Sequence, residues 1–385
     1  MHNTPDICRE VVASLPKVLL HEHLDGGLRP QTVVDLAREC GYTDLPTTDA
    51  EELGAWFVEA GNAGSLPKYL SAFGHTCGVM QTADALARVA REAVEDLAAD
   101  NVVYAELRMA PENHLEKGLT LQEVIDAVVE GLIEGEAAAY AAGKEITARL
   151  IICAMRQENT SKEIAQLTID NHGSNSEHDY VVGFDIAGPE NGFPPSNHAE
   201  AFAMLRENLV PFTIHAGEDA GVDSLREAVV LGASRLGHGV RTCEDFTASM
   251  EGIELQDVAR FIRDQRILLE MCPTSNVQTG VVDNIADHPF TLLDDYGFTC
   301  TVNTDNRLLG GITMTDEMMV LVDTFDYGYT ELFDLTCNAI NHAFADLPTR
   351  ERIMDTLIYP PYLALTDQDG DGEVDPDETL EVHLH

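Results

Sequence analysis

Lysine is scarce in this chain: five among 385 residues, at positions 17, 68, 117, 144 and 162. Lysine and arginine together number 23 against 67 aspartates and glutamates, a formal net charge of −44. A field of that sign repels phosphate backbones and anionic lipid, so nucleic acid and membrane surfaces are poor partners. Long apolar runs are lacking as well; none reaches the ~18–20 residues of a membrane-spanning helix. The N-terminus, MHNTPDICRE, has neither the basic nor the apolar region of a signal peptide. The eight cysteines (8, 40, 77, 153, 243, 272, 300 and 337) form no C-x-x-C pair. Several sit inside apolar runs, the pattern of reduced residues in a cytoplasmic protein. No glycine-rich phosphate fingerprint follows a predicted strand, which disfavours a dinucleotide-binding fold. Excess carboxylate with little lysine also suits a protein kept soluble in high salt, where screening removes self-repulsion, so a salt-tolerant host is expected.

What the chain does have is a rhythm. Short apolar, β-branched runs recur at 18–21, 102–109, 147–155, 181–186, 211–214, 235–236, 267–271 and 298–303. Segments of helical period separate them, among them 83–100, 121–140, 199–207, 224–231 and 255–264. Strands alternating with helices make βα units and a parallel sheet. Eight such strands, apolar enough to be buried on both sides, predict an α/β fold, a (β/α)8 barrel of the TIM type. Residues 28–80 read as a helical insertion after strand 1, a lid over the barrel mouth, and 314–358 as extra helices after strand 8. One domain over 1–365 and an acidic tail over 366–385 are expected.

Polar residues gather where the predicted strands end, the face on which such barrels build their active sites. Strand 1 runs out into His21, Glu22, His23 and Asp25. Residues i and i+2 of a strand share a face, so His21, His23 and Asp25 project together. Strand 4 ends in Asp185 and Ala187-Gly188, strand 5 in His215 with Glu218, strand 6 in His238, and strand 8 in Asp305-Asn306. Three imidazoles and one carboxylate, His21, His23, His215 and Asp305, suit a single Zn²⁺ with one position left for water. Zinc lowers the pKa of such a water from ~15.7 to ~7. His238, on the neighbouring strand, is a candidate base or orienting partner for that water, or a core histidine. Glu218 is placed to donate a proton to substrate if a dry site raises its pKa, or else to cap the following helix. None of the five lysines falls in a middle strand, so no lysine is available to bridge two metals and a mononuclear site is favoured.

Seven motifs, HEHLDGGLRP, VVYAELRMAP, VVGFDIAGPE, TIHAGE, RLGHGVR, EMCPTSNVQTG and VNTDN, resemble in order and spacing those of the adenosine deaminases, amidohydrolases with one zinc. The resemblance runs from about residue 15 to about residue 360. It implies zinc on His21, His23, His215 and Asp305, Glu218 as proton donor to purine N1, and His238 as partner of the attacking hydroxide. It further implies that Asp25 holds the ribose 5′-hydroxyl, that the Gly188 N–H meets purine N3, and that His23 touches the substrate. A purine nucleoside is the implied small-molecule partner. Where the best-known members carry two adjacent aspartates, this chain has Asp305-Asn306. The second position would face N7, an acceptor, to which an Asn amide donates at any ordinary pH and a carboxylate only when protonated. Leu66, Tyr69, Leu70 and Phe73 resemble the family's apolar wall over the nucleoside.

The tail carries a signal of its own. Residues 367–378, DQDGDGEVDPDE, match the twelve-residue EF-hand loop, with Asp367, Asp369, Asp371, Asp375 and Glu378 at ligand positions and Gly372 at the sharp turn. Ca²⁺ binding there and a plain acidic tail are the two readings. Pro360-Pro361 is expected to interrupt the helix before it.

Overall fold

The strand Val102–Met109 carries Glu106 and Arg108 among apolar residues, yet it is buried throughout. The two are spaced i, i+2, so they share one face, here the inside of a ring. The ring is seen in a computed structural model that describes residues 7–173, 179–250 and 252–366. Its strands are β1 (Lys17–His23), β2 (Val102–Met109), β3 (Thr147–Met155), β4 (Val181–Ala187), β5 (Thr213–Ala216) and β6 (Arg235–His238). There follow β7 (Phe246–Ser249), β8 (Gly252–Leu255), β9 (Leu268–Met271) and β10 (Cys300–Val302).

Two four-stranded sheets make the barrel, ordered β1-β2-β3-β4 and β10-β9-β6-β5, with every neighbouring pair parallel. Two narrow seams join them. Phe184 bridges to Phe212 between β4 and β5, and Glu22 to Asp305 where β1 meets the end of β10. At the second seam His23 N donates to Asp305 O at 2.7 Å and Asp305 N to His21 O at 2.9 Å. The expected eight-stranded barrel is thus present. The antiparallel pair β7-β8 lies outside it and was not expected. Strands β5 and β6 each reach two residues further than predicted, carrying His215 and His238 inside their strands.

Helices clothe the ring. Ala83–Ala99 buries Leu86, Val89, Ala90, Ala93, Val94 and Leu97, the expected stripe, and Thr82 caps it. Leu121–Ala141 starts in a capping box of Thr120 and Glu123. Its Gly131 and Gly135 let it lie close against the first helix, since a Cβ would fall 2.2 Å from Ala87 O at one and 2.6 Å from Val94 Cβ at the other. Between β1 and Ala83 the chain forms four helices, Pro30–Cys40, Ala50–Gly61, Leu66–Leu70 and Phe73–Val79. After β10 come Arg307–Gly310, Met314–Phe325, Tyr329–His342, Leu347–Ile353, a π-helical turn Met354–Ile358 and Tyr359–Thr366. Pro360-Pro361 therefore does not stop the helical path. The π-helical turn falls just before the prolines, the wider kind of turn that accommodates a break in the regular i→i−4 ladder. No helix among the described residues is long and apolar enough to cross a membrane. The acidic loop with Asp367, Asp369, Asp371, Asp375 and Glu378 lies outside the described residues.

Candidate active site

Strand ends bring four of the predicted residues to one point. One ligand-type atom each from His21, His23, His215 and Asp305 lies within 4.8 Å of the other three. The contacts are tighter than that limit: His23 Nε2 to His215 Nε2 3.2 Å, His21 Nε2 to Asp305 Oδ1 3.3 Å, and His23 Nε2 to Asp305 Oδ1 3.4 Å. Ligands at the ~2.0–2.1 Å of a tetrahedral zinc stand about 3.3–3.4 Å apart, so the residues fit one such ion. Asp305 (φ 59°) and His238 (φ 62°) are held in the left-handed region that side chains avoid. Each such residue costs about 1–3 kcal/mol, a strain found where surrounding structure enforces a functional geometry. Gly237, in β6 opposite His215 of β5, makes room, because a Cβ there would sit 3.0 Å from His215 Cα and 3.2 Å from His21 Cε1.

Buried charges aim the imidazoles. His21 donates from Nδ1 to Glu270 Oε2 at 2.9 Å, and His215 Nδ1 lies 2.8 Å from Asp185 Oδ2, so both rings turn Nε2 inward. Arg108 links the two carboxylates, at 2.7 Å to Asp185 and 2.8 Å to Glu270. Arg235 pairs with Glu270 Oε1 at 2.7 Å and with Glu106 at 2.6 Å. All five of these side chains are at most 1% exposed. Burial alone would raise Glu270, but Arg108 and Arg235 hold it well below the usual carboxylate range. Burial depresses His23 and His215, which keeps them as neutral donors of a lone pair. His21 moves the other way: against burial and the Arg108 charge, Asp305 and Glu270 raise it, a mark of how strongly this point attracts positive charge.

Glu218 has the opposite bias. Burial first, then the charges of Asp305 and Glu190, push its carboxyl well above the usual range, which favours the protonated form that can donate. Its loop is moulded around Glu190, whose two oxygens accept the backbone N–H groups of Gly217 (2.7 Å), Glu218 (3.0 Å), Asp219 (2.7 Å) and Ala220 (2.8 Å). His238 Nε2 lies 3.5 Å from Glu218 Oε2. On the far side Asn276 Nδ2 donates to His238 Nδ1 at 3.1 Å, while Asn276 Oδ1 accepts from His288 Nε2 at 3.0 Å. With the amide so oriented the His238 proton sits on Nε2, and the ring presents an N–H to the site. Burial lowers His238 well below the ordinary histidine value.

These groups share a cavity of about 420 Å³ with Asp25, Gly188, Asn306 and the apolar residues Leu66, Tyr69, Leu70, Phe73 and Met155. Every site residue picked from the sequence in residues 7–366, His21 apart, lines it, and His21 stands behind His23 and His215. No lysine or arginine among the described residues lines it. Arg29, the basic residue nearest the first motif, is instead bound to Asp96 at 2.7 Å and Glu95 at 3.0 Å. Sequence reasoning gave no role to Arg108, Glu190, Arg235, Glu270, Ser275 or Asn276. Ser275 donates to Asp305 Oδ2 at 2.6 Å. The available signal was charge within strands that otherwise read as core, together with the polar run after β9.

The profile of the family described as Adenosine deaminase matches residues 16–360. A protein of Mycobacterium sp. (strain JLS) named adenosine deaminase is 51% identical over 364 residues, 94% of this chain and 99% of its own length. Among solved structures, an amidohydrolase from Burkholderia ambifaria with bound Zn superposes with TM-score 0.78 at 25% identity, covering 94% of this chain and 95% of that one. Arabidopsis ADAL complexed with IMP gives TM-score 0.75 at 25% identity, over 90% and 97% of the two chains. The chain is an enzyme of the adenosine deaminase family.

Proposed function

We propose that the chain deaminates adenosine and 2′-deoxyadenosine to the inosine nucleosides and ammonia in purine salvage, with one zinc ion held by His21, His23, His215 and Asp305. One observation carries the reading: Glu218, a buried carboxyl group biased toward its protonated form, shares a cavity with that cluster. Zinc bound there supplies hydroxide near neutral pH by lowering the pKa of a water from ~15.7 to ~7. Glu218 gives its proton to purine N1 as C6 becomes tetrahedral, so the ring takes up the electron pair as N–H and not as an anion. His238 holds the incoming oxygen through Nε2–H. As the C6–N bond breaks, the proton of the added hydroxyl passes by way of the Glu218 carboxylate to the amino group, so ammonia leaves and the oxygen stays on C6 as a carbonyl. These contacts strengthen as charge develops, which lowers the barrier and not merely KM.

For the rest of the substrate, Asp25 takes the ribose 5′-hydroxyl, the Gly188 N–H meets N3, Asn306 donates to N7, and His23 touches the purine. The cation-free lining argues for a nucleoside over AMP, because nothing there answers a phosphate. Free adenine would leave Asp25 without its hydroxyl. Ammonia release from adenosine, 2′-deoxyadenosine, adenine, an N6-substituted nucleoside and AMP, on protein of measured metal content, tests the reading. Adenosine is expected to lead, and preference for AMP or adenine would overturn it. Glu218→Gln is expected to lower kcat by about 10²–10⁴-fold with the metal retained. Near-normal turnover by that variant would refute its role.

A further inference from the structure

A second cluster lies beside the first. Asp25 stands in the turn after β1, Cys77 in helix Phe73–Val79 and His114 in the turn after β2. One carboxylate oxygen, the thiol sulfur and one ring nitrogen of the three lie within 4.8 Å of one another. His114 is fully buried, and its Nδ1 sits 2.9 Å from Met80 O. A carbonyl only accepts, so Nδ1 carries the proton and Nε2 is a bare lone pair. Among the described residues no protein group donates to His114 Nε2 or to Asp25 Oδ1, and Asp25 is 4% exposed. Cys77 Sγ donates to Asp25 Oδ2 at 3.5 Å. An oxygen and a sulfur sharing one zinc at ~2.1 and ~2.3 Å stand about 3.6 Å apart, so this edge already has the spacing a common ion requires. A carboxylate and a thiolate balance the charge of a dication, and a backbone-anchored imidazole completes a typical borderline-soft ligand set.

We propose that Asp25, Cys77 and His114 form a second site for a thiophilic divalent cation such as Zn²⁺ or Co²⁺. Binding releases the Cys77 thiol proton to solvent and forms one S–metal, one N–metal and one O–metal bond, with no redox change. Because Asp25 also lines the substrate cavity, the second cation withdraws it from the nucleoside, so excess zinc slows turnover. This last consequence rests on the deaminase reading; the site does not.

Cobalt titration of the full-length protein tests both parts. No thiolate belongs to the first cluster, so a near-ultraviolet thiolate-to-cobalt charge-transfer band reports on the second alone. The band is expected to grow with a second equivalent of Co²⁺ and to vanish in Cys77→Ser. His114→Gln should raise the second Kd by at least the ~10-fold that loss of a mere supporting group causes. Both variants should keep the first equivalent, the wild-type circular dichroism and the basal activity. Absence of the band at saturating cobalt, or an unchanged band in Cys77→Ser, overturns the site. Excess Zn²⁺ should inhibit the wild type and spare Cys77→Ser. A band without that inhibition overturns the coupling through Asp25. A band on a protein that deaminates nothing overturns the deaminase reading and leaves the site standing.

Discussion

Replacing Glu270 by Gln keeps its volume and removes one charge from the floor of the site. Two donors and a further charge converge on that carboxylate: His21 Nδ1 at 2.9 Å and Arg108 Nη2 at 2.8 Å donate to Oε2, and Arg235 Nε stands 2.7 Å from Oε1 as an ion-pair partner. An amide offers a single oxygen, and its NH₂ must then face at least one N–H, so a buried donor is left opposed. Removing one partner from a buried ion pair costs about 3–5 kcal/mol. That is a large part of the ~5–15 kcal/mol that keeps a domain folded. The same change weakens the hold on His21, and loss of such a supporting group lowers metal affinity by about 10–100-fold, or roughly 1.4–2.7 kcal/mol. Urea denaturation of the chelated protein reads the first figure, and competition with a chromophoric zinc chelator reads the second. A variant that unfolds within about 1 kcal/mol of the wild type and competes equally for zinc would refute the reasoning for both.

Two further substitutions probe packing and protonation. Gly237→Ala sets a methyl group against His215 and His21 at 3.0–3.2 Å; zinc affinity should fall by about 10-fold or more and stability by about 1–3 kcal/mol, and unchanged chelator competition would count against the close fit. Glu317, fully buried in helix Met314–Phe325, is raised by burial from 4.5 to about 8. Its folded pKa exceeds its unfolded one, so the folded state is favoured while the group is protonated and loses ground as pH climbs from about 4.5 to about 8. Relative to wild type, Glu317→Gln should gain stability across that interval, by at most about 5 kcal/mol. Denaturation midpoints that stay the same distance apart at about pH 5 and about pH 8.5 would refute it.

The barrel was legible because its strands are buried on both faces and read as apolar blocks between helical stripes. The pair β7-β8 escaped because only its Phe246–Leu255 end meets the core: Thr247, Ala248 and Ser249 face solvent, so its alternation is weak. The cluster of His21, His23, His215 and Asp305 could be assembled from their places at strand ends, since a closed ring makes residues far apart in sequence neighbours. What supports them could not. Glu106, Arg108, Asp185, Arg235 and Glu270 sit one or two to a strand, and a single sequence does not say which charges meet across the interior. Glu190 was hidden for a different reason. Its role depends on four backbone N–H groups of another loop, and backbone leaves no mark in side-chain pattern.

The seam between β1 and β10 has a mechanical consequence. One half-ring carries His21 and His23, the other His215 and Asp305, and between these halves the ladder is thin at both joints. An ion gripped by all four would then be a rivet through one weld of a hoop. Stripping it would slacken the whole circumference, and the opposite joint at Phe184 and Phe212 should breathe more freely too, because His215 stands on β5, the strand that forms that joint.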